Sequence, residues 1–152
     1  CVISLCYLME EFMELQVKKL SWNGKLPVKA YPTDLGYDLF ADERTSLEPQ
    51  SVTKVHTGIA CDFPTGYGAL LRDRSSMATK KEVFVVAGVI DPTYTGEIIV
   101  AFFNPNDFPI EINEGEKIAQ MILIHGINFP VVEVSDLAAT DRGDNGFGST
   151  GS

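Results

Sequence analysis

The apolar residues of this 152-residue chain come in short runs, and no window beyond Ser21 keeps them at helical spacing for three turns. Val83-Phe84-Val85-Val86 and Ile98-Ile99-Val100-Ala101-Phe102-Phe103 are representative. They are rich in β-branched and aromatic side chains, which suit a pleated strand, and are bounded by Gly, Pro, Asn or Asp, which end one. An all-β fold with at most one or two short helical turns is therefore expected. Strand-like segments fall near Leu15–Leu20, Thr45–Leu47, Ser51–Thr57, Gly58–Phe63, Tyr67–Leu71, Val83–Val86, Glu97–Phe103, Phe108–Ile112, Lys117–His125 and Val131–Val134. So many short strands at such spacing read as a sandwich or barrel.

At this length, with 45% hydrophobic residues, the chain fits one domain with a real core. Twelve basic against 21 acidic residues give a formal net charge of -9, which repels nucleic-acid phosphates over most of the surface. A nucleic-acid polymer is thus not an expected partner. A small polyanion still fits if a few cations converge and a divalent ion offsets part of its charge. Cys1, Cys6 and Cys61 make no even set of bridges and no zinc-ligand spacing, so a reducing compartment is expected. The apolar opening lacks a basic region and is too short to span a bilayer, so no membrane association is expected. Residues 1–12 read as an extension or remnant outside the fold, with Met13 the guess for an original start. Residues 13–136 read as the body, and 137–152 as a flexible Gly-rich arm.

Three segments could carry chemistry. Gly88-Val89-Ile90-Asp91-Pro92-Thr93-Tyr94-Thr95-Gly96 reads as a hairpin whose turn holds a carboxylate, and a carboxylate fixed at a strand end can act as a general base on water. Taken alone, Asp91 is better explained as a turn former before proline. Arg72, Arg74, Lys80 and Lys81 make the densest cationic segment and, with Ser75 and Ser76, supply the donors that grip phosphate oxygens; its bland reading is a solvated loop. The arm combines Arg142 and Phe147 with glycines and hydroxyls, which could wrap a charged ligand as a lid or simply be disordered. His56 and His125 sit alone in strand-like surroundings and read as structural.

In order along the chain, Asp34-Leu35-Gly36-Tyr37-Asp38-Leu39-Phe40-Ala41, Arg74-Ser75-Ser76, Gly88 to Gly96, Gly115-Glu116-Lys117-Ile118-Ala119-Gln120 and Arg142 to Gly151 resemble the five motifs of trimeric dUTPases. The resemblance runs from Leu15 to Gly151. It implies a distorted jelly-roll β-barrel, a homotrimer whose C-terminal arm reaches a neighbouring subunit, and hydrolysis of dUTP to dUMP and pyrophosphate with Mg²⁺ on the phosphates. That reaction limits uracil in DNA and supplies dUMP for thymidylate synthesis. The implied compartment is the cytoplasm, with the nucleus added for a eukaryotic or viral source.

The same resemblance implies the roles of single residues. Asp91 would activate the attacking water, and Tyr94 would lie beneath the deoxyribose and reject a 2′-hydroxyl. Main-chain groups of Gly88, Val89, Ile90 and Ile99 would read the uracil edge. Arg74, Ser75 and Ser76 would hold the β- and γ-phosphates, with Gln120 near the α-phosphate. Asp38 would meet the metal through water. Phe147 would stack on uracil, while Arg142, Gly148, Ser149 and Thr150 would close over the phosphates.

Two departures stand out. The family's Pro-Arg-Ser-Gly is Asp73-Arg74-Ser75-Ser76 here, and the charged residues around the motif-three tyrosine are replaced by Pro92, Thr93 and Thr95. The wording also resembles dCTP deaminases, but their catalytic glutamate would fall at Ala101, whose methyl cannot move a proton. A trimeric nucleotide-sensing regulator is the other rival, and retention of Asp91, Tyr94, Phe147, Arg74 and Arg142 argues against a noncatalytic one.

Overall fold

A computed structural model describes residues 13–146, and over that span the chain is all-β apart from one helical turn. The strands are β1 (Gln16–Lys19), β2 (Gly36–Phe40), β3 (Thr45–Leu47), β4 (Ser51–Asp62), β5 (Tyr67–Asp73), β6 (Phe84–Val86), β7 (Val89–Ile90), β8 (Glu97–Asn104), β9 (Ile110–Ile112) and β10 (Lys117–His125). They form two four-stranded sheets, β1-β4-β8-β6 and β2-β10-β5-β7, and a small pair, β3-β9. The paired strands all run antiparallel.

Alternation explains the layering. Along β8 every second residue, Ile98, Val100, Phe102 and Asn104, is buried, as a period of two requires for a strand with one face on the core. Val55 and Ile59 of β4 join them, and the second sheet answers with Leu39, Ala69, Leu71, Ile118 and Met121 in the same cluster. Leu47 and Ile112 of the small pair belong to it as well. The buried amide of Asn104 is satisfied on every side: it donates to the carbonyls of Leu47 and Phe108 and accepts from Asn106, as burial of a polar group demands.

Several expectations need revision. Ser51–Thr57 and Gly58–Phe63 are one 12-residue strand over Ser51–Asp62. Gly58, at φ +65°, inserts a bulge that shifts its register against β8 between His56 and Ala60, which is why the alternation breaks there. Gly36–Phe40 is a strand the apolar pattern did not reveal, because only Leu39 in it is fully buried. Val131–Val134 forms no strand: it pairs with nothing among the described residues, and Val131 is fully exposed. The helical turn is a π-helix over Met77–Lys81, anchored by buried Met77 and ended by Glu82 in a left-handed conformation.

The most consequential correction is the hairpin. β7 pairs with β5 in the second sheet and β8 with β4 and β6 in the first, so Gly88–Gly96 is a crossing between sheets and not a ladder-bonded hairpin. Ala87 at φ +62° and Gly88 at φ +103° turn the chain from β6 into β7, a backbone state that disfavours any residue bearing a Cβ. The Gly88 carbonyl then accepts from the Leu71 amide at 2.7 Å. Gly68 of β5 lets the Ile90 carbonyl and the Pro92 ring approach closely; a Cβ there would overlap that carbonyl and press the ring at 3.3 Å.

Gly68→Ala is accordingly expected to push β7 off β5 and destabilise the chain by about 1–3 kcal/mol, read as a lower urea midpoint with unchanged slope. Gly146→Ala, whose added carbon meets nothing within 4 Å, serves as control and should stay within about 0.5 kcal/mol of the parent.

Candidate functional site

Two cavities hold most of the described candidate residues. The larger, of about 430 Å³, lies where β2, the end of β5 and β10 meet and is lined by Asp34, Gly36, Asp38, Arg74, Ser75 and Gln120 among others. β10 stands between β2 and β5, with Gln120 in register with Asp38 on one side and Arg72 on the other. The Gln120 side chain lies directly over Gly36, where any Cβ would collide with it, and donates to the Asp73 carbonyl at 2.9 Å.

Arg74 Nε pairs with Asp38 Oδ1 at 3.0 Å, and Lys117 Nζ sits 2.8 Å from Asp38 Oδ2. One carboxylate thus balances two cations in an otherwise acidic protein. Asp73, the departure from proline, uses its carboxylate to accept the Val85 amide at 2.6 Å, tying the end of β5 to β6. Ser76 has φ -67° and ψ -32°, an ordinary right-handed conformation, so its place needs no glycine for backbone reasons. Ser75 lines the cavity while Ser76 does not.

The smaller cavity, about 160 Å³, is lined by Val89, Ile90, Asp91, Tyr94, Glu97 and Ile99. Asp91 does form the expected turn, its carbonyl accepting the Tyr94 amide at 3.0 Å. Among the described residues no donor reaches its carboxylate, which leaves that group to whatever enters the cavity. The Tyr94 ring lies across Gly96, where an added Cβ would meet Cζ at 2.7 Å, and its hydroxyl donates to the Glu97 carbonyl at 2.9 Å. Gly88 lines neither cavity and acts through the turn it makes possible.

Two residues at these sites were not singled out from sequence. Glu97 receives the Gly58 amide at 3.0 Å through Oε1 and faces His56 Nδ1 at 2.9 Å through Oε2. It therefore pins the β4 bulge while its carbonyl holds Tyr94. Lys117 stands within a recognised motif but carried no role. For Lys117 the available signal was its place three residues before Gln120; for Glu97 it was a carboxylate directly after Gly96 in a strand otherwise apolar to Phe103.

His125 stacks on Tyr67 with ring centroids 5.1 Å apart and lines neither cavity. Arg142 is exposed and turns back on its own loop, its Nε donating to the Asn145 carbonyl at 3.0 Å, so it too lines neither. Phe147, Gly148, Ser149 and Thr150 lie outside the described residues. Ala101 stands in β8 between Lys54 and Val86, away from both linings. Burial pushes the Cys61 thiol up to about 11, which makes it a core residue and not a nucleophile. Among the described residues no cluster of three or more His, Cys, Asp or Glu could hold a metal by itself, and no helix is long and apolar enough to cross a membrane.

The dUTPase family model matches residues 23–151. The chain is 44% identical over 142 residues to the deoxyuridine 5′-triphosphate nucleotidohydrolase of Hydrogenobaculum sp., covering 91% of this chain and 99% of that one. It is 40% identical over 139 residues to the probable deoxyuridine 5′-triphosphate nucleotidohydrolase of Schizosaccharomyces pombe, covering 91% and 99%. Its fold is similar to that of a Staphylococcus bacteriophage 80alpha dUTPase mutant with dUpNHpp, with TM-score 0.85, 29% identity and coverage of 91% and 99%. It is also similar to a mutant dUTPase from phage phi11 of S. aureus described with a structural Mg(II) ion, with TM-score 0.75, 28% identity and coverage of 81% and 97%.

The Glu97 hydrogen bond raises His56 above its ordinary 6.5, against partial burial, with the Glu97, Glu43 and Asp42 charges adding to the rise. A raised folded value means the folded chain holds this proton more tightly than the unfolded one. The stabilisation is complete below about pH 6.5 and is lost as pH rises through the folded value. Between about pH 5 and about pH 8, the melting temperature of the parent should fall further than that of His56→Gln. Parallel profiles would mean that the pair contributes nothing.

Proposed function

The chain belongs to the dUTPase family, and on that premise we propose that it hydrolyses dUTP to dUMP and pyrophosphate, with water attacking the α-phosphorus. The observation that carries the reading is the smaller cavity, in which a carboxylate that no donor among the described residues reaches, a phenol ring laid over Gly96 and the strand β7 face one space. Asp91 takes the proton from the attacking water, for which a carboxylate with no competing donor is suited. Tyr94, held by the Glu97 carbonyl, forms the floor under the deoxyribose and leaves no room for a 2′-hydroxyl. The main chain of Val89 and Ile90, with Ile99 opposite and Gly88 setting the turn that presents them, reads the uracil edge, since a base with the wrong donor pattern would strand buried groups.

The phosphates go to the larger cavity. Arg74 and Ser75, with Ser76 beside them, take the β- and γ-phosphates, and Gln120 lies toward the α-phosphate. Mg²⁺ suits this site because its donors, Asp38, Asp34 and Gln120, are hard oxygens and the ion commonly keeps waters and takes phosphate oxygens. Asp38 meets Arg74 and Lys117 as ion pairs, and a carboxylate has acceptor positions enough to take a metal-bound water as well. When bound, the ion offsets phosphate charge; the chain's own residues orient the substrate and move the proton.

The reading extends to a homotrimer of distorted jelly-roll barrels. Nucleoside-side and phosphate-side residues line separate cavities in one chain, which is what a site completed by a neighbour requires. Past β10 the chain exposes Phe129 at 77%, Val131 at 100% and Leu137 at 88%, apolar surface that a second copy would cover. The body over 13–136 and the arm over 137–152 then divide the work, with Arg142, Phe147, Gly148, Ser149 and Thr150 closing over bound nucleotide.

Offered dUTP, UTP, dCTP and dTTP in turn with Mg²⁺, the protein is expected to release pyrophosphate from dUTP alone and ammonia from none. Ammonia from dCTP or inert dUTP would overturn the assignment. Asp91→Asn should lower kcat by about 10²–10⁴-fold with KM for dUTP little changed; full turnover would remove Asp91 from the mechanism.

A further inference from the structure

A guanidinium beside a carboxylate ordinarily closes on it with two parallel hydrogen bonds, one to each oxygen. Arg74 does not. It meets Asp38 through Nε and Oδ1 at 3.0 Å, and the second oxygen, which a fork would need, is held by Lys117 Nζ at 2.8 Å. Arg74 Nη1 donates to the Lys117 carbonyl in a long hydrogen bond of 3.4 Å.

We propose that Lys117 is a positioning residue for phosphate capture: by occupying one oxygen of Asp38 it keeps Arg74 paired with that carboxylate through Nε alone and leaves the part of the guanidinium not held by the Lys117 carbonyl for phosphate. Removing the Lys117 ammonium would let Arg74 rotate into a bidentate pair with Asp38, a stable state that buries the same part against the protein. The aspartate would then change from a hinge for Arg74 into a trap.

The ammonium is well placed for this. A register shift in β10 lies between Lys117 and Ala119, so Lys117 and Gln120, three positions apart, both reach the Asp38 side of the strand. The Lys117 ammonium is also 6.0 Å from the centroid of the Phe40 ring, which carries Lys25 at 5.4 Å. Asp38 itself faces two cations, Arg74 and Lys117, which favours a polyphosphate here while the chain as a whole repels one.

The inference rests on the reading that this cavity takes phosphates, and the test separates the two. Inorganic tripolyphosphate, titrated calorimetrically without divalent cation, reports on Arg74 independently of turnover; KM and kcat for dUTP with Mg²⁺ report on the reaction. Lys117→Met keeps the stem and removes the charge, and Lys117→Gln guards against a loss due to packing. Both should raise the tripolyphosphate Kd and the dUTP KM about tenfold, leave kcat within about twofold, and unfold near the parent midpoint. Lys117→Arg should restore binding to within about threefold. In an Asp38→Asn background, where no carboxylate competes for Arg74, Lys117→Met should add little, the non-additivity expected of groups acting through one another.

Unchanged Kd and KM in both neutral variants would overturn the proposal. So would a loss that arginine fails to restore. A loss undiminished in the Asp38→Asn background would make Lys117 a direct phosphate ligand and equally refute it. A parent chain that released no pyrophosphate from dUTP would count against the reaction, while the tripolyphosphate comparison would still decide on Lys117.

Discussion

Strand β10 is hydrogen-bonded along both edges, and the larger cavity exists because of it. Pairing with β2 on one side and β5 on the other brings Asp38, Arg72 and Gln120 into one row, though they lie far apart in the chain. The ladder leaves little freedom in that arrangement, since a slip of one residue would turn every side chain to the opposite face. Buried Ile118, Ala119 and Met121 oppose such a slip by placing the apolar face of β10 in the core. What the cavity does chemically therefore follows from how the core is packed beneath it.

The second dependence runs through glycine. Gly68 admits the Ile90 carbonyl, Gly88 turns the chain into β7, Gly96 accepts the Tyr94 ring, and Gly36 lies under Gln120. Each is a place where another group comes closer to backbone than a Cβ would allow. The crossing from β7 to β8 is thereby held at both ends, and Glu97 adds a third tie by joining Tyr94, the β4 bulge and His56. A carboxylate on so constrained a segment can be aimed at a fixed point, which a general base needs.

Charge is handled locally against the overall balance. The chain carries a formal net charge of -9, yet Asp38 alone faces two cations. Asp38 offsets enough of that charge to let Arg74 and Lys117 lie side by side, and its divided attention keeps either from being fully spent. An acidic surface and a polyphosphate site are compatible because screening limits the repulsion of distant carboxylates to about 10 Å at moderate salt.

Much of this was legible in the residues alone. Short β-branched runs and their Gly and Pro punctuation determined an all-β chain, because side-chain period and turn chemistry are local properties. The ordered motifs singled out Asp91, Tyr94, Arg74, Ser75, Gln120 and Asp38, and these line the two cavities. The sequence could not reveal that Gly88–Gly96 crosses between sheets, since strand partners are chosen by nonlocal packing. Nor could it reveal that Ser51–Asp62 is a single bulged strand, or that a register shift lets Lys117 reach Asp38. A bulge breaks the alternation on which a sequence reading depends, and an ion pair between residues 79 positions apart in number exists only once β2 and β10 are paired. Residue identity determined which chemistry the chain carries; the pairing of strands decided which of those groups meet.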